Sequence, residues 1–259
     1  MWERNRCRAR IEAPEAFDQG GIEPALVARH LADLAKVNRY LLGTRSVLAH
    51  VAPLLADGHA GPLRVLDLGC GGGEVLRALA TRARQVGRPL LGTGVDRNPA
   101  VVSYARRRAE HLPELSWVCA DARALSFPPG RVDLVISTTM LHHFSPAEAV
   151  EVLRAARALT GGWVVISDLV RSSGALLAFR LFSFAAGFHQ ISREDGFASL
   201  RRAYRPEELA ELARAAGLTN FRVYRHPFSR MTLVCGPEVC DEDSLPGDES
   251  GLTPPAVGA

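Results

Sequence analysis

Val65-Leu66-Asp67-Leu68-Gly69-Cys70-Gly71-Gly72-Gly73 carries more information about the fold than any other stretch of this chain. The apolar run from Arg64 to Leu68 reads as a strand and the glycines as a turn. Glu74-Val75-Leu76-Arg77-Ala78-Leu79-Ala80 then opens a helix with apolar residues at helical spacing. Glycine reaches φ > 0 and lets a ligand approach the backbone, and a helix N-terminus offers free N–H groups. Strand, turn and helix together make a nucleotide cradle, although glycines at this spacing also serve plain turns.

Outward from the cradle, a second apolar strand, Leu90-Leu91-Gly92-Thr93-Gly94-Val95-Asp96, ends on an acid twenty-seven residues after Gly69. A carboxylate at that tip can accept hydrogen bonds from ribose hydroxyls. A helix from Pro99 to His111 leads to a third strand, Leu115 to Cys119, closed by Asp121. The dinucleotide fingerprint GxGxxG needs glycine at position 74, where this chain has Glu74; counted from Gly71 it needs one at Leu76. A pyrophosphate would meet a carboxylate at the helix start, so a ligand without phosphate fits better.

These residues resemble the class I S-adenosylmethionine-dependent methyltransferases. The likeness continues through Ala120-Asp121-Ala122, Val132-Asp133-Leu134-Val135-Ile136 and Gly161-Gly162-Trp163-Val164-Val165-Ile166, covering roughly residues 60–235. It implies an α/β, Rossmann-like fold: a seven-stranded, mostly parallel sheet, helices on both faces and a terminal antiparallel hairpin. It also implies S-adenosyl-L-methionine as cofactor. On the family pattern Gly69, Gly71 and Gly73 line the methionine end, Asp96 the ribose, and Asp121 with Ala122 the adenine. Asp67, Arg97 and Ser137 complete the expected cofactor wall. Within the family the chain looks most like bacterial small-molecule methyltransferases of the quinone-biosynthesis type. Phe188-His189-Gln190, Arg193-Glu194-Asp195-Gly196 and Arg202-Ala203-Tyr204 resemble a branch associated with phenolic polyketides and phenolic lipids. The implied reaction is O-methylation of a phenol bearing an apolar chain, with C-methylation of a quinol precursor as the next reading.

Composition agrees with an enzyme of this size. At 259 residues, 47% hydrophobic and 23% charged, the chain can bury a full core. No apolar run reaches the ~18 residues of a membrane span, and the arginine-rich first ten residues lack the apolar segment of a signal peptide. Five scattered cysteines without metal-ligand spacing point to a reducing cytoplasm. The net charge of +3 conceals an asymmetry: residues 237–259 hold six acids and no Lys or Arg, leaving 31 basic against 22 acidic residues elsewhere. Lys36 is the sole lysine, a usage that reads as GC-rich coding bias. The basic surface, Arg106-Arg107-Arg108 included, is therefore no argument for nucleic acid.

Periodicity organises the rest. Pro24–Leu34 and Arg45–Leu55 read as amphipathic helices with Asn38-Arg39-Tyr40 between them, and the core alternates strand and helix, as a parallel sheet covered on both faces requires. Ser145-Pro146-Ala147-Glu148 is a capping box with proline at the first helical position. The chain divides into a basic flexible start (1–20), N-terminal helices (21–58), a methyltransferase domain (59–236) with a lid insertion (171–205), and a disordered acidic tail (237–259). The insertion holds Leu177, Phe179, Leu181, Phe182, Phe184 and Phe188, too many for one helix face. Three readings follow: a helix packed on the sheet, a lid over an apolar acceptor pocket, or a contact with a membrane surface or a second copy in a homodimer.

A hydroxyl acceptor must lose its proton, so histidines near the methyl come first. His142 and His143, just past strand 132–136, are the leading candidates for the base, in that order, and His189 in the lid is the third. Catechol-type enzymes hold magnesium with acids after strands four and five; those places read Ser137-Thr138 and Asp168-Leu169, so no metal is expected. No Asn-Pro-Pro-Tyr-like motif or Pro-Cys pair points to a nucleic-acid base, leaving a small molecule as acceptor. Two other readings stay open: a nicotinamide-dependent oxidoreductase, disfavoured by Glu74 and the lack of a Tyr-x-x-x-Lys pair, and a non-catalytic S-adenosylmethionine-binding subunit.

Overall fold

The computed structural model describes residues 9–11, 15, 17, 23–56, 61–125 and 131–237. Two helices, α1 (Pro24–Tyr40) and α2 (Gly43–Ala56), precede β1 (Leu63–Leu68), α3 (Glu74–Gln85), β2 (Leu90–Asp96), α4 (Pro99–Arg108) and β3 (Leu115–Cys119). β4 (Leu134–Thr138), α5 (Pro146–Leu159) and β5 (Trp163–Leu169) follow. Then come α6 (Ser173–Ala185), α7 (Gln190–Arg202), α8 (Pro206–Ala215), β6 (Phe221–His226) and β7 (Arg230–Cys235). The strands form one seven-stranded sheet, order β3-β2-β1-β4-β5-β7-β6. β7 alone runs antiparallel to its neighbours, pairing β5 from Val164↔Cys235 to Leu169↔Arg230 and closing the terminal hairpin with β6.

The pattern that marked the helices also sets their packing. On α3 the apolar spacing buries Val75, Leu76, Leu79, Ala80 and Ala83 under one sheet face, with Val47, Val51 and Leu55 of α2 in the same cluster. On the other face Val152, Leu153 and Ala156 of α5 join Leu209 and Leu212 of α8. The expected capping box is present: Ser145 accepts from the Glu148 N–H, and the Glu148 carboxylate accepts from the Ser145 N–H at 3.0 Å.

Three expectations change. Asn38, Arg39 and Tyr40 belong to α1, which runs on until Leu42 reverses the chain at φ 61°. The insertion is two helices rather than one, turning between Ala186 and His189. Of the stretch expected to be flexible, Arg10 donates to the carbonyls of His142 at 2.9 Å and Phe144 at 2.6 Å, while Glu15 is buried. Most of 1–20, and the tail beyond 237, lie outside the described residues. No helix among the described residues is long and apolar enough to cross a membrane.

Candidate active site

β1 and β4 are neighbours whose onward connections leave toward opposite edges of the sheet, and open α/β sheets bind ligands outside the carboxyl ends of such strands. A cavity of ≈ 940 Å³ opens there. Asp67, Gly69, Gly71, Asp96, Arg97, Asp121 and Ala122, all expected from sequence to hold the cofactor, line it. Gly71 has φ 53° and nothing within 4 Å of where a Cβ would stand, so bare backbone faces the space. Gly73 and Ser137 are not on the wall. Gly73, at φ 74°, lies against the Trp117 ring, which a side chain would strike. Ser137 is buried and donates its hydroxyl to the Leu68 carbonyl at 2.8 Å, tying β4 to β1.

The wall is acidic. Both carboxylate oxygens of Asp67 are buried without a hydrogen-bond partner. Burial first, then the charges of Glu74 and Asp96, push its carboxyl well above the usual range. Burial also raises Glu74 despite Arg77 at 3.3 Å, and raises Asp96 although the N–H groups of Asn98 (3.0 Å) and Gly71 (3.2 Å) donate to it. Uncompensated buried carboxylates are costly. A ligand bearing positive charge relieves that cost; a pyrophosphate adds to it. The sulfonium and α-ammonium of S-adenosylmethionine therefore fit this wall, and a nicotinamide dinucleotide does not. Asp121 stands at the mouth, held by the Arg123 guanidinium at 2.8 Å.

Past β4 the chain turns through Thr139 (φ 57°) and a 3₁₀ turn, Leu141–His143, onto the end of β5. Strand register (Thr138↔Ser167) brings that turn beside Asp168. His142 is fully buried: its N–H donates to Asp168 Oδ2 at 2.9 Å, and its Nδ1 lies 2.7 Å from Asp168 Oδ1. Its Nε2, 3.6 Å from Glu15 Oε1, has no hydrogen-bond partner. Burial lowers the imidazole's pKa, but the Asp168 and Glu15 carboxylates outweigh it and push the value up to about 9. His143 packs against His142 with ring centroids 4.3 Å apart, keeps 26% of its side chain exposed and lies on the cavity wall. Its Nδ1 is 3.8 Å from the same Glu15 oxygen, and it stands near enough to Asp96 to stabilise that carboxylate. His189 is elsewhere. It is exposed and caps α7, its ring nitrogen accepting from Ile191 N–H at 3.3 Å.

Away from the acidic wall the cavity turns apolar, lined by Val37, Leu41, Leu169, Ala175, Phe179 and Phe188. Phe179 and Phe188 are 7% and 6% exposed, whereas Leu177, Leu181 and Phe184 point outward at 61%, 65% and 78%. Arg230 also reaches this side, fully buried; desolvation lowers its guanidinium to about 10 in spite of Asp168. Its Nε donates to the Leu41 carbonyl at 2.9 Å and Nη1 to Thr139 Oγ1 at 3.1 Å. Glu15 and Arg230 were not singled out in the sequence, and Asp168 was read there only in the argument against a catechol-type metal site. Asp168, at the tip of a buried apolar strand, carried a readable signal; Glu15, in a stretch without periodicity, carried none.

Comparison with known proteins agrees with this geometry. A family model described as "Methyltransferase domain" matches residues 65–161. The ubiquinone biosynthesis O-methyltransferase of Chromobacterium violaceum is 33% identical over 159 residues, 60% of this chain and 64% of that protein. Its counterpart in Burkholderia thailandensis is 32% identical over 166 residues, 63% and 67% respectively. The chain thus spans somewhat under two thirds of the length of most of these curated relatives. Among solved structures, magnesium protoporphyrin IX methyltransferase from Synechocystis, with bound SAH, superposes with a TM-score of 0.52 at 20% identity, covering 74% of this chain and 82% of that one. The plantazolicin methyltransferase BpumL in complex with SAH gives 0.59 at 13% identity over 82% and 89%. With fold, acidic cofactor wall and relatives in agreement, the chain belongs to the class I S-adenosylmethionine-dependent methyltransferases, of the small-molecule type.

Proposed function

We propose that this protein methylates a hydroxyl on a small, largely apolar acceptor, a phenol carrying an alkyl chain being the simplest fit. The observation that carries this is one continuous cavity, acidic at Asp67 and Asp96 and apolar at Phe179 and Phe188, with His143 on the wall between. Its volume is at the upper end of ordinary ligand pockets, about 300–1,000 Å³, enough for cofactor and acceptor together.

In this reading Asp67, Gly69, Gly71, Asp96, Arg97, Asp121 and Ala122, which line the cavity, hold the cofactor. When bound, S-adenosylmethionine supplies a methyl on positively charged sulfur; the acceptor oxygen bonds to that carbon as the S–C bond breaks and its electron pair stays on sulfur. The chain's task is orientation and proton removal, since holding reactants in attack geometry can lower a barrier by roughly 7–11 kcal/mol. The hydroxyl gives up its proton at the Glu15–His142–His143 cluster. Both histidines line the cavity; His143 keeps part of its side chain exposed, whereas His142 is fully buried and fixed by Asp168. We therefore place His143 ahead of His142, the reverse of the order expected from sequence; His189 is not among the residues that line the cavity. The relatives named above as ubiquinone biosynthesis O-methyltransferases support oxygen as the atom methylated.

The test is incubation of purified protein with labelled S-adenosylmethionine and a panel of alkylphenols, alkylresorcinols and quinols, followed by mass spectrometry. Methyl ethers of chain-bearing phenols are expected. Ring-carbon methylation would move the reaction to the C-methyl reading, and no labelled product across the panel would overturn the acceptor class.

A further inference from the structure

Glu15, His142 and His143 offer three ligand atoms within 4.8 Å of one another, all from residues that line the cavity. Two are imidazole nitrogens and one a carboxylate oxygen, a donor set shared by catalytic zinc sites and by the facial triad of non-haem iron. We propose that these three residues hold one divalent transition-metal ion whose remaining coordination positions face the acceptor cavity.

Three observations point to an ion. His142 Nε2 is buried and has no hydrogen-bond partner, although it lies 3.6 Å from Glu15 Oε1. Orphaned buried nitrogens are rare, and each calls for an occupant. His142 Nδ1 is engaged by Asp168 at 2.7 Å, which leaves Nε2 as the ligating atom. Metal-bound histidines characteristically donate their other ring nitrogen to a carboxylate in this way. Glu15 is oriented too, because its Oε1 accepts the Ser199 hydroxyl at 2.6 Å. With metal–ligand bonds of about 2.0–2.2 Å, tetrahedral ligand atoms lie roughly 3.3–3.6 Å apart. The separations of 3.6 Å and 3.8 Å need contract only slightly.

Two imidazoles favour zinc or iron over magnesium, which prefers oxygen ligands. The ion would occupy the position that His142 Nε2 leaves without a hydrogen-bond partner. Its function rests on the acceptor reading above and gives the cluster's part in proton removal to the ion: a hydroxyl oxygen binding it becomes more acidic, its proton leaves to water instead of to an imidazole, and the oxygen then takes the methyl. The site differs from the catechol-type magnesium site in residues and in donor chemistry.

Full-length protein, stripped with a chelator and dialysed, is titrated with Zn²⁺ by calorimetry and with Co²⁺ by visible absorption. Glu15→Gln, His143→Ala and Asp168→Asn are treated alike, with His50→Gln as control and S-adenosylmethionine affinity as the check on folding. The wild type should bind about one ion per chain. Asp168→Asn should weaken binding by about 10–100-fold, and Glu15→Gln and His143→Ala by at least the upper figure. His50→Gln should match wild type. No binding by the wild type, or equal binding by wild type, Glu15→Gln and His143→Ala, overturns the site. Full methylation of phenols by metal-free protein also overturns it and leaves methyl transfer standing. Zinc bound at these residues by a protein that methylates nothing in the panel supports the site and removes only the acceptor reading.

Discussion

Asp96 shows how much a single side chain does on the acidic wall of the cavity. Its two oxygens accept from Gly71 and Asn98 N–H groups, so it holds the glycine turn to the start of α4 while facing the cavity. Asp96→Ala should weaken S-adenosylmethionine binding by roughly 1–3 kcal/mol, the cost of leaving such hydrogen bonds unmade. Calorimetry reads it, and an unchanged affinity would mean that the ribose sits elsewhere. His143→Ala should cut turnover about 100-fold or more while cofactor affinity stays near wild type; full turnover would move proton removal away from the cluster. At this scale the sequence was legible where a residue's place on the cavity wall follows from its position near a strand end, as with Asp67, Asp96 and Asp121. It was not legible for Glu15, which reaches the site from far away along the chain. Nor was it legible for Gly73, whose neighbour Trp117 comes from β3.

The elements that matter most are the loops after β4 and β5 and the pair α6 and α7. Alternation of strands and helices could be read from periodicity, because each buried face imposes it. The split of the insertion could not: its apolar residues outnumber one helix face, and only packing decides which go inward. Phe179 and Phe188 meet edge to face at a centroid distance of 6.1 Å, while Phe184 points to solvent. If Phe179 meets the acceptor, kcat/KM should rise with alkyl chain length by up to ~0.8 kcal/mol per buried CH₂ and then level off. Phe179→Ser should raise the acceptor KM and spare cofactor affinity, whereas Phe184→Ser should change neither. Indifference to chain length, or equal effects of the two substitutions, would reduce the pair of helices to packing.

For the whole molecule, charge pairs stabilise the fold unevenly with pH. The sheet and the terminal hairpin were foreseeable, but α2 lies against the β6–β7 hairpin in a way no local pattern announces. There His50 Nε2 comes within 3.4 Å of His226 Nε2, and the His50 ring lies tilted against Tyr224 with centroids 4.5 Å apart. Burial first, and then the neighbouring His226 charge, lower His50 from 6.5 to about 4; His226 is lowered by burial and by Arg230. A histidine depressed in the folded state takes up its proton more readily when unfolded. Its contribution is therefore complete above 6.5, declines as the pH falls toward about 4, and is gone below both values. Carboxylates held low by their partners, such as Glu114 beside Arg84, lose their contribution at more acidic pH, so the two effects separate. His50→Gln removes the titrating group and keeps a polar side chain there. Between neutral pH and pH 4 the melting temperature of wild type should therefore fall further than that of His50→Gln, with the gap opening below about 6.5. Parallel curves across that interval would show that His50 titrates normally and that the α2 contact with the hairpin is open to water.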